Sequence, residues 1–347
     1  MSLVRWRVDQ NIDGCQSQKK LSILTNFRRM DGVCGRLYLA QSQYIGDKNS
    51  VFFAPRLFRE ALDCDVVVLN AETPRLLTLC LIKWLFPFWR LRLVSVDIHL
   101  SPPKGWMSRF IVLVKRLLLK KVDRFILYFK DFEGYARYYG ICPGRVSYVP
   151  FKVNEWESLP GRDSLSSDGS YILTAGRGLR DLPTFIAAMR QIPYPAILLY
   201  QDARVMRAYG TELEVKDLPP NIKMVLHDGD KITWIDHIAR AKVVVIPALD
   251  SIRPVGISLY LLAMALKKVI VITDGPATRG LIEEEAIIVP VGDANAMASG
   301  ITRVWEDDVL RKKLADAGRA YVERIGGEQR LLRDIIDICG DLIFPTT

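Results

Sequence analysis

Six short runs of apolar, mostly β-branched residues recur through the second half of the chain: YILTAG (171–176), AILLYQ (196–201), IKMVLH (222–227), VVVIPA (243–248), VIVITD (269–274) and AIIVPV (286–291). None alternates polar with apolar, so each predicts a strand buried on both faces. Between several of them lie helical patterns such as DLPTFIAAMRQ, KITWIDHIARA and GISLYLLAMALKK. Continuous apolar strands separated by helices predict a parallel sheet with helices on both faces. Ligands of such sheets bind beyond the carboxyl ends of the strands, so candidate functional residues belong in the loops that follow the runs.

The first half carries the same rhythm less clearly, in LSILT (21–25), SVFFA (50–54), VVVLN (66–70), RLVSV (92–96) and RFILY (124–128). The polar stretch NEWESLPGRDSLSSDGS (154–170) separates the halves and reads as a linker. A chain of 347 residues is long enough for two cores. The expected division is a Rossmann-like domain over 1–153 and a second over 154–325. A last amphipathic helix over 326–347 returns to the first domain. No period of solenoid length is present.

Six cysteines, Cys15, Cys34, Cys64, Cys80, Cys142 and Cys339, are scattered without a CxxC pair. That spacing argues against a zinc site and a disulfide framework, and for a reducing, cytosolic compartment. With three histidines in the chain, a histidine-based metal site is disfavoured. The first ten residues lack the apolar core of a secretory signal. The most apolar windows, 76–89 and 110–119, are short and carry internal charge, so neither is expected to span a bilayer.

The net charge of +9 is concentrated: Lys83 to Arg124 holds ten Lys/Arg against Asp97 and Asp123, a local excess of eight. The same segment holds Trp84, Phe86, Phe88, Trp89 and Trp106. A helix opening near Trp106 places Arg109, Arg116 and Lys120 beside Phe110, Leu113, Val114 and Leu117, a composition suited to a membrane interface. The expectation is a mostly buried helix whose basic edge meets anionic lipid or an acidic acceptor. No nucleic-acid-binding module is recognisable, so no nucleic-acid partner is expected.

From Tyr171 to about Val322 the sequence resembles the donor domain of GT-B glycosyltransferases of the retaining, family-4-like type. The resemblance rests on TAGRG after the first strand, AMALKKVIV, and IIVPVGDANAMASGITRVWEDDVLRKKL. Over residues 1–150 it is weaker and rests on LRLVSVD, KVDRFI and GRVSYVPF. It implies an α/β GT-B fold, two Rossmann-like domains with parallel sheets facing a central cleft. It also implies a hexosyltransferase-type enzyme taking a nucleotide-diphosphate sugar as co-substrate, with no metal or other cofactor and with retention at the transferred sugar. The acceptor would be a polysaccharide or lipid-linked glycan, and the location cytoplasmic, peripheral on the inner face of a membrane. The two glutamates of that family fall on Pro254 and Leu262, which opens an alternative: a catalytically degenerate GT-B domain that binds a nucleotide or partner without turnover. A Rossmann oxidoreductase is weaker still, because no G-x-G-x-x-G opens either half.

Candidate donor residues follow from loop position. Gly176, Arg177 and Gly178 form a strand–helix turn that suits a diphosphate, with Arg180 in the same loop; the simpler reading is a solvated turn. Asp250, Ser251 and Arg253 follow another strand, where Asp250 is either a substitute for a lost glutamate or a turn residue. Gly256 and Ser258 open a helix and serve an anion, or Ser258 caps it. In the first domain the resemblance implies a catalytic role for Asp97, with His99 beside it. Trp106, Arg109, Arg116 and Lys120 are the candidate membrane or acceptor surface.

Overall fold

The computed structural model describes residues 18–45, 54–159, 169–213 and 217–345. Two parallel six-stranded sheets organise them. The first is built from β1 (Lys19–Thr25), β2 (Tyr38–Tyr44), α1 (Ala54–Leu62), β3 (Val66–Asn70), α2 (Thr73–Leu85), β4 (Arg92–Val96), α3 (Trp106–Leu119), β5 (Arg124–Leu127), α4 (Glu133–Tyr139) and β6 (Val146–Tyr148). Its strand order is β2-β1-β3-β4-β5-β6.

The second contains β7 (Ile172–Ala175), α5 (Leu182–Met189), β8 (Ala196–Tyr200), α6 (Ala203–Ala208), β9 (Ile222–Leu226), α7 (Lys231–Ala239), β10 (Val243–Ile246), α8 (Ile257–Ala265), β11 (Val269–Thr273) and β12 (Ile287–Val289). Helices α9 (Ala294–Glu306), α10 (Asp308–Ile325) and α11 (Glu328–Ile343) complete the chain. The strand order is β12-β11-β10-β7-β8-β9. The sequence thus runs outward from β7 to β9, then returns to the other side of β7 with β10. That reversal leaves a crevice between the ends of β7 and β10.

All six expected strands of the second half form, and β7, β10 and β11 are buried at every residue. This is what covering both faces of a parallel sheet requires. In the first half β2 is absent from the apolar pattern, because only Tyr38 and Ala40 of its seven residues are buried. Of the run at 50–54, residues 50–53 lie outside the described residues and Ala54 opens a helix instead of ending a strand. Of the polar stretch 154–170, residues 160–168 lie outside the described residues.

Helix α11 packs on β2 at the edge of the first sheet. The Asp337 carboxylate accepts from the Arg36 backbone N–H at 2.7 Å and from its Nε at 3.1 Å, and Tyr38 donates to Asp341 at 3.1 Å. Cys64, Cys80, Cys142 and Cys339 are free thiols, whereas Cys34 is disulfide-bonded. The expectation of unbridged cysteines is corrected at Cys34, since chain spacing does not register an approach through space.

Candidate functional site

A cavity of about 560 Å³ lies between the two sheets. One wall comes from the first sheet: Asp97 and His99 after β4, Tyr128 after β5, and Phe151. The other comes from the loops that flank the β7/β10 crevice: residues 176–180, and residues 253–259 at the start of α8.

The glycine loop is held from below. Gly176 has φ 102°, and a side chain there would run into the Arg180 guanidinium, so both backbone shape and space call for glycine. Arg180 is 6% exposed. Its Nε donates to the Ala175 carbonyl at 2.9 Å and its Nη1 to the Gly178 carbonyl at 2.8 Å. Burial lowers its pKa to about 10. Arg180 therefore braces the loop more than it offers a free fork to a ligand. Thr211, fully buried, completes the brace: its hydroxyl accepts from Arg180 N–H at 2.9 Å and donates to the Arg177 carbonyl at 2.8 Å. Above the brace, Arg177 is exposed, with its guanidinium carbon 4.1 Å from the centroid of the Tyr209 ring. The aromatic face limits the rotamers of the guanidinium and keeps it at the cavity. Sequence reasoning missed Tyr209 and Thr211, which lie beyond α6, far along the chain from the loop they support.

Helix α8 presents an open N-terminus. The helices α5, α6, α7, α9 and α10 each begin on an Asp whose carboxylate accepts a backbone N–H of the first turn. Helix α8 begins on Gly256, at φ 91°, with no side-chain cap. A Cβ on Gly256 would meet Ile246 at 2.6 Å, so the loop can run this close to β10 only with glycine. Ser258 is exposed on the first turn and lines the cavity, but it does not cap the helix. The leading N–H groups thus lack side-chain partners and carry the positive end of the helix dipole.

The neighbouring loop divides its candidates. The Ser251 hydroxyl accepts the Arg253 N–H at 3.0 Å, a local turn that directs Arg253 into the cavity lining. Asp250 is exposed and Ser251 half-buried, and neither lines the cavity. Of the two readings the sequence left open for Asp250, a substitute for a lost glutamate or a turn residue, its exposed position apart from the lining of this cavity favours the turn. Of the two positions matching the family's glutamates, Pro254 lines the cavity and Leu262 is buried, 3% exposed.

On the opposite wall Asp97 has φ 48°, an uncommon left-handed conformation for a residue other than glycine. Such strain persists where surrounding structure imposes it. The Asp97 N–H donates to the Ile126 carbonyl at 2.9 Å. Its carboxylate lies 3.3 Å from Nε2 of His99. Fully buried Tyr135 pins the segment between them, donating to the Ile98 carbonyl at 2.7 Å and accepting the Leu100 N–H at 3.3 Å. Burial raises the Tyr135 pKa, so the phenol stays protonated and able to donate. Among the described residues lining the cavity Asp97 is the only carboxylate, against Arg177, Arg180, Lys231 and Arg253. Among the described residues, no group of three or more His, Cys, Asp or Glu is placed to hold a metal ion.

Helix α3 departs from expectation. It is mostly exposed, with Leu119 its one buried residue. Trp106 is 79%, Phe110 65%, Leu113 53% and Leu117 55% exposed, and at this spacing they share one face. Trp84, Leu85, Phe86 and Phe88, at and beyond the end of α2, are exposed as well. Arg109, Arg116 and Lys120 are exposed around it. The helix packs against α2 and α4 only through its narrower side, which leaves the wide apolar stripe outward. Among the described residues no helix is long and apolar enough to cross a membrane.

Residues 207–307 match the family model described as Glycosyl transferases group 1. The fold is shared with a glycosyltransferase from Rickettsia africae ESF-5, at TM-score 0.63 and 14% identity, covering 94% of this chain and 100% of that one. It is shared with Anabaena Alr3699/HepE, solved in complex with UDP and glucose, at TM-score 0.61 and 15% identity over 87% of this chain and 85% of that one. Sucrose-phosphate synthase from Thermosynechococcus elongatus matches at TM-score 0.60 and 16% identity over 94% and 89%. No curated protein matches the sequence. The two facing parallel sheets are the GT-B fold of these glycosyltransferases.

Proposed function

We propose that this chain is a GT-B glycosyltransferase that moves a sugar from a nucleotide-diphosphate sugar to a glycan or lipid-linked acceptor. One observation carries the reading. The braced glycine loop with Arg177 and the uncapped start of α8 flank the crevice of the second sheet, and they face Asp97 and His99 across one cavity. The first pair suits a leaving diphosphate, whose charge rises as the glycosidic bond breaks; fixed N–H groups and guanidinium stabilise that charge without reorganising. The second pair suits the acceptor hydroxyl, which Asp97 and His99 can orient and relieve of its proton. The match to Glycosyl transferases group 1 and the UDP-bound relative of the same fold support the assignment.

The test is release of nucleotide diphosphate from a panel of UDP, GDP, dTDP and ADP sugars, with and without polyprenyl-linked acceptors. The degenerate reading draws on Pro254 and Leu262, which supply no carboxylate where the family resemblance leads one to look for it. It predicts binding of one of these nucleotides with no turnover on any of the donors. The resemblance implies retention, which the anomeric coupling of the product in NMR reads directly. Neutralisation by Arg177 and α8 makes a metal unnecessary, so excess EDTA is expected to leave the rate unchanged.

Arg177→Ala tests the donor side. Removing a charge-assisted fork from the diphosphate is expected to weaken nucleotide-diphosphate binding by about 1.5–3 kcal/mol. The thermal midpoint should move little, since the side chain is exposed and only its contact with Tyr209 is lost. Calorimetric titration with unchanged affinity would remove Arg177 from the site.

We also propose that the acceptor side works at a membrane. Helix α3 starts seven residues after His99 (106 minus 99), so the exposed apolar stripe and the proposed acceptor site are joined by one short loop. That arrangement suits an acceptor anchored in the lipid of an inner, anionic leaflet facing the cytoplasm.

A further inference from the structure

We propose that the sugar carried by the donor is acidic, a uronate rather than a neutral hexose. The inference rests on the nucleotide-sugar reading above and concerns what the second-domain wall can bind beyond the diphosphate. Among the described residues that wall contributes Arg177, Arg180, His227, Lys231 and Arg253 to the cavity, and no Asp or Glu. Most of these groups are already engaged. Arg180 donates to two carbonyls of its own loop. Lys231 pairs with Glu155 at 2.7 Å. The His227 ring accepts the Gly229 N–H at 3.0 Å through Nδ1 and lies 3.0 Å from the Asp230 carbonyl through Nε2. Two guanidinium groups remain. Arg177 lies over Tyr209 at the glycine loop. Arg253 is half-buried, and among the described residues no carboxylate lies within 4.0 Å of its guanidinium.

A diphosphate at the glycine loop and the start of α8 accounts for Arg177 and the free N–H groups. Arg253 stands on a different loop that also lines the cavity, as a second cation. A half-buried guanidinium without an anion is unfavourable, and it accepts no hydrogen bond. A neutral sugar presents hydroxyls, each of which needs to donate as well as accept. Among the described residues this wall offers those donors one side-chain amide acceptor without a partner, Gln201 Oε1. Oxidising the sugar's exocyclic CH2OH to a carboxylate removes one donor and adds two charged acceptor oxygens. The planar guanidinium of Arg253 can hold both in a fork.

Two matched pairs test this by calorimetry on the full chain: UDP-glucuronate against UDP-glucose, and GDP-mannuronate against GDP-mannose, with bare UDP and GDP as references. Members of each pair differ only at the exocyclic carbon. For the nucleotide that binds, the acidic sugar is expected to bind at least about ten-fold more tightly, the scale of one charge-assisted pair. Arg253→Gln should bring the ratio near one, and Arg253→Lys should keep part of it. Far-UV circular dichroism and the melting midpoint of each variant report folding separately. Binding of a bare nucleotide without preference within its pair overturns the acidic-sugar inference alone. Equal weakening of bare nucleotide and acidic donor by Arg253→Gln makes Arg253 a diphosphate ligand and also overturns it. Binding of none of UDP, GDP, dTDP and ADP, and of none of the four donors, overturns the nucleotide-sugar reading together with it.

Discussion

Asp97→Asn is expected to lower the rate of transfer by about 10²–10⁴-fold, the range over which a positioned acid or base acts, with nucleotide-diphosphate affinity nearly unchanged. Among the described residues Asp97 is the one carboxylate lining the cavity, so none of them is an acid placed there to replace it. Asparagine keeps the shape and can still contact His99, now at 3.3 Å from the Asp97 carboxylate, but it can neither take a proton nor stabilise a charged imidazole. The substitution should also spare the fold. Asp97 sits at φ 48°, a region that asparagine enters as readily as any residue but glycine. The backbone around it is set by Tyr135 and by the Ile126 carbonyl, neither of which bonds the side chain. Product release at saturating donor and acceptor, with parallel calorimetry of the nucleotide, separates the two effects. Full turnover in Asp97→Asn would leave the loop strained for some other purpose and return the proton to the diphosphate. Tyr135→Phe probes the same loop from behind. It removes a buried hydroxyl and takes that partner from both the Ile98 carbonyl and the Leu100 N–H, which should cost roughly 1–3 kcal/mol of stability.

The sheets were legible because their strands are buried on both faces, and a run such as VVVIPA has no second interpretation once helices flank it. Strand β2 was not, because an edge strand such as YLAQSQY buries one side for part of its length and reads as polar. The glycine loop and the open start of α8 were legible for a local reason: glycine, then serine, before an apolar helical run. What supports them was not. Thr211 and Tyr209 reach Arg180 and Arg177 through space from beyond α6, and nothing in their own neighbourhood marks them. The loop after β10 shows the limit most clearly. Asp250 and Arg253 are three residues apart, yet Arg253 lines the cavity and Asp250 does not, a difference that spacing in the chain does not carry. Helix α3 failed in a different way. Its period was correct, but a period does not tell whether an apolar stripe meets protein or something else.

That outward stripe yields the second large effect, on attachment to anionic vesicles. Phe88 is 93% and Trp106 79% exposed, a placement that costs free energy in water and is recovered when the rings enter the region between headgroups and acyl chains. Arg109, Arg116 and Lys120 border the stripe and would face the headgroups. Changing these three to Gln is expected to weaken binding to phosphatidylserine-containing vesicles by roughly 100-fold, at about 1 kcal/mol for each basic residue near such a surface. Changing Phe88, Trp106 and Phe110 to Ser should abolish the binding that remains at high salt, since salt screens the charges and leaves the apolar contribution in place. Neither set should lower the melting midpoint, because these side chains make few contacts within the chain. The two variants together discriminate between partners. A protein partner would tolerate neutral vesicles and ignore lipid charge, whereas a lipid surface requires both the charge at low salt and the rings at high salt. Sedimentation of the wild-type chain with vesicles at low salt is the deciding measurement: if it stays in the supernatant, the stripe on α3 does not face lipid, and the acceptor need not be membrane-anchored.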